Sequence, residues 1–505
     1  MNQRKAGVIL SYLSMGANSL IGFIYVPMLI SFLTKSQYGL YELMGSVAAS
    51  LGLLDLALAS TITKYYSQAL ERKDKKEQEN VLSVSGILYG AIGLFVLLLG
   101  VIFYLCIDPL YSKTLVPSDL LKAKRIFLIL LFNVFVSIPS HVFTAAINSH
   151  ERFIFVRGVN LFKILLQPLI VYGVLSLKAD VLLLVITQVS MNLLVIAMNI
   201  YYSFARLKIS FRLHEWSNRF AAEVLLFSSF IFIHILMDQV YWRSGAVILG
   251  AVSGTVAVAV YAVGMQISSF YLSISSGVSG VFLPKISSLC LRDNANEEIN
   301  KIFIKTGRLQ FVLASLILSG FIIFGPDFIY FWLGDGFNIS YYVAVIIMSA
   351  YFLDVVQNTG IAILQAKNKH AARAYIYTAT ALLNILIGIP LGKLYGPIGC
   401  AAATGFCLFL GKGLLINIYY IKQGVAVGAF FREIGKIAAS VLIVGSAGYA
   451  LNAAFPTNGR LVFMIVKISV YGSVFAAVLW LFALNSYEKD LFLKPMRSIL
   501  SKIIR

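Results

Sequence analysis

The sequence predicts an all-α polytopic membrane protein with about fourteen transmembrane helices. Three observations predict it: an apolar composition, recurrent long apolar stretches, and a loop-by-loop segregation of Lys and Arg. Of 505 residues, 59% are hydrophobic and 12% charged, whereas soluble globular chains are roughly half apolar and about a quarter charged. A core of this size in water would lack the polar surface to cover it, so lipid must be the solvent. Each apolar stretch runs for about 20 residues or more, enough for a helix to cross a hydrocarbon layer about 30 Å thick.

In chain order the predicted spans are 7–33, 38–63, 81–107, 126–148, 154–177, 180–205, 220–250, 255–284, 302–325, 341–365, 372–394, 396–421, 428–453 and 461–485. The first follows Arg4 and Lys5. It exceeds the roughly 7–15-residue apolar region of a secretory signal and lacks a small-x-small cleavage site, so it reads as a retained helix. Asp238 and Arg243 interrupt the seventh span, and Gly254 is the break that separates it from the eighth.

Charge in the loops tests this division independently, because short cytoplasmic loops are enriched in Lys and Arg. Most of the 41 basic residues fall on the side shared by both termini, including Lys64, Arg72, Lys73, Lys75, Lys76, Arg152, Arg157, Arg206, Lys367, Arg373, Lys436 and Lys489. The opposite side receives Lys35, Lys113, Lys122, Lys124, Arg125, Lys178, Lys393 and Arg460. Both termini are therefore expected in the cytoplasm.

The same bias accounts for the net charge of +19 without a nucleic-acid partner, since the charge follows membrane parity and forms no contiguous patch. Residues 486–505 mix Lys and Arg with Leu491, Phe492, Leu493, Ile499 and Ile503. They read either as a basic amphipathic segment on anionic lipid or as an ordinary topogenic tail. The polar stretches between spans are each under about 20 residues, too short for a soluble domain. Function must reside in the helices and short loops.

Catalytic chemistry finds no footing in the sequence. Cys106, Cys290, Cys400 and Cys407 are scattered without ligand spacing, and the five histidines form no paired-ligand motif, so neither a metal nor another cofactor is expected. The run GFCLFLGKG at 405–413 imitates a phosphate loop but lacks its spacing and the Ser or Thr after Lys412. Gly86 and Gly90 form a GxxxG in the third span, read as ordinary helix packing.

An internal echo suggests duplication. Tyr41 to Lys64 is matched by Tyr261 to Lys285, and AAINSHERF before the fifth span corresponds to AILQAKNKH before the eleventh. Such an offset in one membrane orientation implies two parallel six-helix lobes, 1–213 and 214–424, with spans thirteen and fourteen and a basic tail appended over 425–505.

At these residues the chain resembles the polysaccharide exporters, or oligosaccharide flippases, of the multidrug/oligosaccharidyl-lipid/polysaccharide superfamily. The run NSLIGFIYVPMLISFLTKSQYGLYELMGSVAASLGLLDLALASTITKYYSQ is similar to that family's first two helices. DQVYWRSGAVILGAVSGTVAVAVYAVGMQISS is similar to its seventh and eighth. The resemblance implies two lobes in pseudo-twofold arrangement, rocking about a central cavity. The implied task is to move an undecaprenyl-pyrophosphate-linked oligosaccharide repeat unit across a bacterial cytoplasmic membrane, alongside membrane lipids and other polysaccharide-assembly proteins. Pro284-Lys285 stands where the first lobe has Thr63-Lys64, a departure from strict lobe symmetry. A flippase for lipid II or a related precursor, or a drug/cation antiporter, is the alternative within the superfamily. A membrane glycan polymerase is disfavoured by the absence of a large Arg- or His-bearing external loop.

Ionisable side chains at mid-bilayer cost at least about 2.5–3.5 kcal/mol and normally face protein or water. Lys163, Arg243, Lys412 and Arg308, with Gln239, Gln357 and Asn358, are the expected lining for a pyrophosphate or sugar. Asp55, Asp238 and Asp354 are candidates for ion coupling. Structural readings stand beside these: Asp238 and Arg243 lie five apart and can neutralise each other, Arg308 and Lys467 can reach the interface, and the amides can bond between helices.

Overall fold

The computed structural model describes residues 3–52, 58–216, 237, 239–289, 296–367, 369, 371–456, 460–490 and 493. The regular elements among them are all helical. They are α1 (Gln3–Phe32), α2 (Lys35–Leu51), α3 (Leu58–Glu71), α4 (Lys75–Tyr111), α5 (Pro117–Ser149), α6 (Phe153–Leu177) and α7 (Val181–Ala205). A short α8 (239–252) follows, then α9 (Thr255–Leu289), α10 (Asn296–Leu333), α11 (Asn338–Val356), α12 (Thr359–Ala366) and α13 (Ala371–Leu408). A π-helix (Phe409–Leu415) leads into α14 (Ile416–Lys422), and α15 (Val427–Ala454) and α16 (Leu461–Phe482) complete the order.

Among the described residues, 11 helical stretches are long and apolar enough to cross a bilayer. The stretch Ala372–Lys422 holds the predicted eleventh and twelfth spans. Gly396 divides it with φ 58° and ψ −136°, a backbone state open to glycine and closed to side-chain-bearing residues. The predicted second span is represented by α2 and α3, and 53–57 lie outside the described residues. Most of the seventh span lies outside them as well, leaving α8.

Two compact units result: Met1–Ala262 with Ile389–Cys400, and Val263–Gly388 with Ala401–Arg505. The division falls within α9, whereas the sequence echo places a lobe boundary at 213/214. In the first unit Ile62, Tyr66, Val81, Val84, Tyr89, Ile138 and Val142 form a dense apolar core of α3, α4 and α5. Helix starts are locally specified: Thr34 and Gln37 form a capping box at α2, and the side chains of Asp74 and Asp180 cap α4 and α7.

Gly39 of α2 marks the tightest approach in this unit. A Cβ there would stand 1.8 Å from the carbonyl oxygen of Thr255, and the neighbouring Ser36 and Thr255 hydroxyls are hydrogen-bonded at 2.8 Å. The GxxxG expectation needs correction. A Cβ at Gly90 would meet nothing within 4 Å among the described residues, and one at Gly86 or Gly93 would make ordinary contact with Phe211 or Phe135, whereas at Gly100 it would stand 2.2 Å from Leu131 of α5.

Candidate functional site

Seven residues of α1 fall on one helical stripe: Ser11, Ser14, Met15, Asn18, Ile21, Gly22 and Tyr25. Their spacing of three and four residues puts them on a single face, while Tyr12, Leu13, Leu20 and Ile24 on the rest of the helix are exposed as lipid-facing residues would be. Across from the stripe, α6 contributes Arg157, Asn160, Lys163, Ile164, Gln167 and Pro168, with Tyr41 from α2 and Gln188 from α7. Together they enclose a cavity of about 700 Å³ within the first unit. Pro168 has no N–H, so the carbonyl of Ile164 loses its helical donor one turn earlier.

Lys163, mid-way along α6, is held from behind. Its Nζ donates to Oδ1 of Asn192 at 2.9 Å, and the Asn192 amide donates in turn to Asn133 Oδ1 and Ser137 Oγ, each at 2.9 Å. Opposite, the Gln188 amide donates to the hydroxyls of Tyr25 and Tyr41 at 2.9 and 3.1 Å. The network fixes rotamers on α1, α2 and α7, so the cavity presents ordered donors and acceptors. Two cations line it, and among the described residues none of those lining it is a carboxylate, the nearby Glu42 acting electrostatically on Tyr25 and Tyr41.

Arg243 of α8 is half-buried and is not among the lining residues. Its proposed partner Asp238 lies outside the described residues, as does Asp55. The described carboxylate in electrostatic contact with it is Glu42 of α2, which also hydrogen-bonds Tyr38. Gln239 sits one helical turn from Arg243, half-buried. If Arg243 serves to neutralise Glu42, Arg243→Ala should reduce the amount of folded protein in the membrane and Arg243→Ala/Glu42→Gln should restore it, read by fluorescence-detected size exclusion. Restored abundance with export still absent would instead give Arg243 a substrate contact.

In the second unit Lys412 and Asp354 come together. Lys412 lies in the π-helix, 7% exposed, with Nζ 3.4 Å from Oδ2 of Asp354 and close to the rings of Tyr351 and Tyr377. The phosphate-loop imitation at 405–413 is therefore continuous helix, and its register slip aims Lys412 inward; π-turns inside helices recur at functional sites. Just beyond Asp354, α11 ends and α12 begins across Gln357 and Asn358. The predicted tenth span is thus a broken helix. Gln357 is buried in a reciprocal amide pair with Asn417 at 2.9 Å in both directions. Asn358 is half-buried at the break and makes no side-chain capping bond.

Arg308 takes another course. It is 4% exposed, and its Nε and Nη2 bind the carboxylate of Glu488 at 2.6 and 3.0 Å. Nη1 binds Glu433 through Oε2 at 3.0 Å and the carbonyl at 3.1 Å, and Nη2 also reaches the carbonyl of Ala483 at 3.1 Å. All the N–H groups of the guanidinium are thereby used within the protein, tying α10 to α15 and to the segment after α16. Lys467 of α16 likewise turns to the end of α15, donating to Asn452 Oδ1 at 3.0 Å and to the carbonyl of Phe455.

Sequence reasoning passed over Glu42, Asn192 and Gln188, and counted Arg157 and Arg373 as loop charges. Glu42 was detectable as a carboxylate inside an apolar span. Arg157 was detectable as the start of the i, i+3, i+6 polar series Arg157, Asn160, Lys163 on α6.

Residues 5–290 match the family described as polysaccharide biosynthesis protein. The chain belongs to that family. Over 251 residues it is 20% identical to the probable low-salt glycan biosynthesis flippase Agl15 of Haloferax volcanii, an alignment that covers 50% of this chain and 52% of the relative. The chain thus spans about half the length of that curated relative. Among solved structures, the lipid II flippase MurJ in an inward closed conformation superposes with a TM-score of 0.69 at 15% identity, covering 94% of this chain and 99% of MurJ. An inward-facing multidrug resistance MATE transporter of the MOP superfamily gives 0.60 at 13% identity over 83% and 98%. The eukaryotic MATE transporter AtDTX14 gives 0.56 at 14% over 84% and 98%. These likenesses establish the fold: an all-α, multi-pass membrane protein with MurJ- and MATE-like architecture.

Proposed function

We propose that this member of the polysaccharide biosynthesis family is a flippase. It carries undecaprenyl-pyrophosphate-linked oligosaccharide repeat units across the bacterial cytoplasmic membrane by alternating access, with both termini in the cytoplasm and no bond-making chemistry of its own. The observation that carries the reading is the cavity of the first unit. Its volume of about 700 Å³ falls in the range of ligand sites, about 300–1,000 Å³. Its wall combines Arg157 and Lys163 with amides, hydroxyls and tyrosine rings, and among the described residues no carboxylate lines it. A pyrophosphate brings about two negative charges into a low-dielectric layer, which is prohibitive without countercharge. Amide and hydroxyl groups suit sugar hydroxyls, and tyrosine faces suit the C–H faces of a pyranose. A drug/cation antiporter would be served by the opposite polarity.

Deletion of the gene in the native organism, with assay of surface glycan and of lipid-linked intermediates, tests the reading. Lipid-linked repeat units should accumulate on the inner leaflet while surface glycan falls. Unchanged surface glycan, in a strain without a second flippase, would refute it.

A further inference from the structure

The second unit contains a charge that the cavity of the first does not explain. Arg373, in the first turn of α13, is 7% exposed, and its Nε is buried with no hydrogen-bond partner among the described residues. Its guanidinium lies 4.7 Å from the centre of the Tyr377 ring and bonds to that residue's hydroxyl. The carboxylate whose field it feels is Asp354, which stands 3.4 Å from Lys412. Lys412 approaches the same Tyr377 ring at 4.9 Å. Arg373 makes no ion pair with a described carboxylate within 4.0 Å, so a buried guanidinium shares a counterion already engaged elsewhere.

A buried cation left in that state is expensive. Arg373 also sits in the first turn of α13, where the helix dipole adds positive potential, the arrangement that favours bound anions. A guanidinium with an unused Nε–H offers the edge that takes a tetrahedral oxyanion by two parallel hydrogen bonds. The Asp354 side chain beside Lys412 is 18% exposed.

We propose that Arg373, the first turn of α13 and Lys412 form a binding site for one phosphate-type oxyanion in the second unit. The assignment goes beyond the flippase reading and stands apart from the first-unit cavity. Asp354 competes with the anion for Lys412, so occupancy and the Lys412–Asp354 pair oppose one another.

The test uses the full chain in lipid nanodiscs, with thermal unfolding followed while inorganic pyrophosphate is titrated against sodium chloride at matched ionic strength. Pyrophosphate should raise the midpoint in a saturable manner, and chloride should not. Arg373→Gln should abolish the shift, Arg373→Lys should weaken it about tenfold in apparent affinity, and the surface control Lys301→Gln should retain it. Asp354→Asn should tighten binding several-fold by freeing Lys412, which keeps the test decisive even if Arg373→Gln fails to fold. No saturable shift in the parent protein with either inorganic pyrophosphate or a short-chain prenyl pyrophosphate, a shift that survives Arg373→Gln, an equal shift with chloride, or unchanged affinity in Asp354→Asn would each overturn the site. A short-chain prenyl pyrophosphate separates the sources: a shift with both ligands assigns the site to the free oxyanion chemistry, and a shift with the prenyl form alone assigns it to a lipid head group. Either result is independent of the export assay, so loss of the flippase reading would leave the site intact.

Discussion

Arg308→Ala is expected to destabilise the protein by about 3–5 kcal/mol, the usual cost of stripping one partner from a buried ion pair. The substitution leaves Glu488, 3% exposed, without its guanidinium, and frees the carbonyls of Glu433 and Ala483. Glu433 suffers less, since its side chain is 37% exposed and also meets Lys436 at 3.2 Å. Unfolding of the purified protein in nanodiscs should therefore show a large fall in midpoint for Arg308→Ala. Arg308→Met/Glu488→Met should recover most of it, because removing both charges avoids the unpaired carboxylate. A double variant no better than the single would mean that the carbonyl contacts, and not the Glu488 pair, carry the stability.

The second large effect is on transport. Lys163→Ala and Arg157→Ala should leave the protein abundant in the membrane and lower export of lipid-linked glycan about tenfold to a hundredfold each. That range corresponds to the loss of one charged hydrogen bond of about 1.5–3 kcal/mol. Lys163→Arg should keep more activity than Lys163→Ala, since the countercharge survives even though the bond to Asn192 is altered. Surface glycan, measured against protein abundance in the same membranes, reads the result. Export equal to the parent in both alanine variants would remove the first-unit cavity from the transport path.

How much of this was legible in the sequence depended on the kind of interaction. Spans were legible because burial in lipid is set by local apolar length, and the stretches from α4 to α7 sit where hydropathy alone put them. The break at Gln357–Asn358 and the π-turn around Lys412 were not, because hydropathy does not register a change in hydrogen-bond step within an apolar helix. Lys163 was legible as a cation within an apolar span, but its support by Asn192, Asn133 and Ser137 joins three helices and has no local signature. Arg308 illustrates the same limit: its partners Glu433 and Glu488 lie 125 and 180 residues away. Arg373 looked like a loop charge because it stands at a helix end beside Lys367 and Lys369. Burial of that helix end is a tertiary fact.

The one-faced polarity of α1 has a consequence for how the protein is made. Its stripe of Ser11, Ser14 and Asn18 completes a wall with α6, yet α1 is synthesised well before α6, which begins at Phe153. At about 5–20 residues per second, roughly 6 to 30 s pass between emergence of the two helices. During that interval the polar face of α1 must be sheltered by the insertion machinery or by water at the interface. Membrane entry of the first helix is therefore a provisional docking, made permanent when the sixth helix arrives.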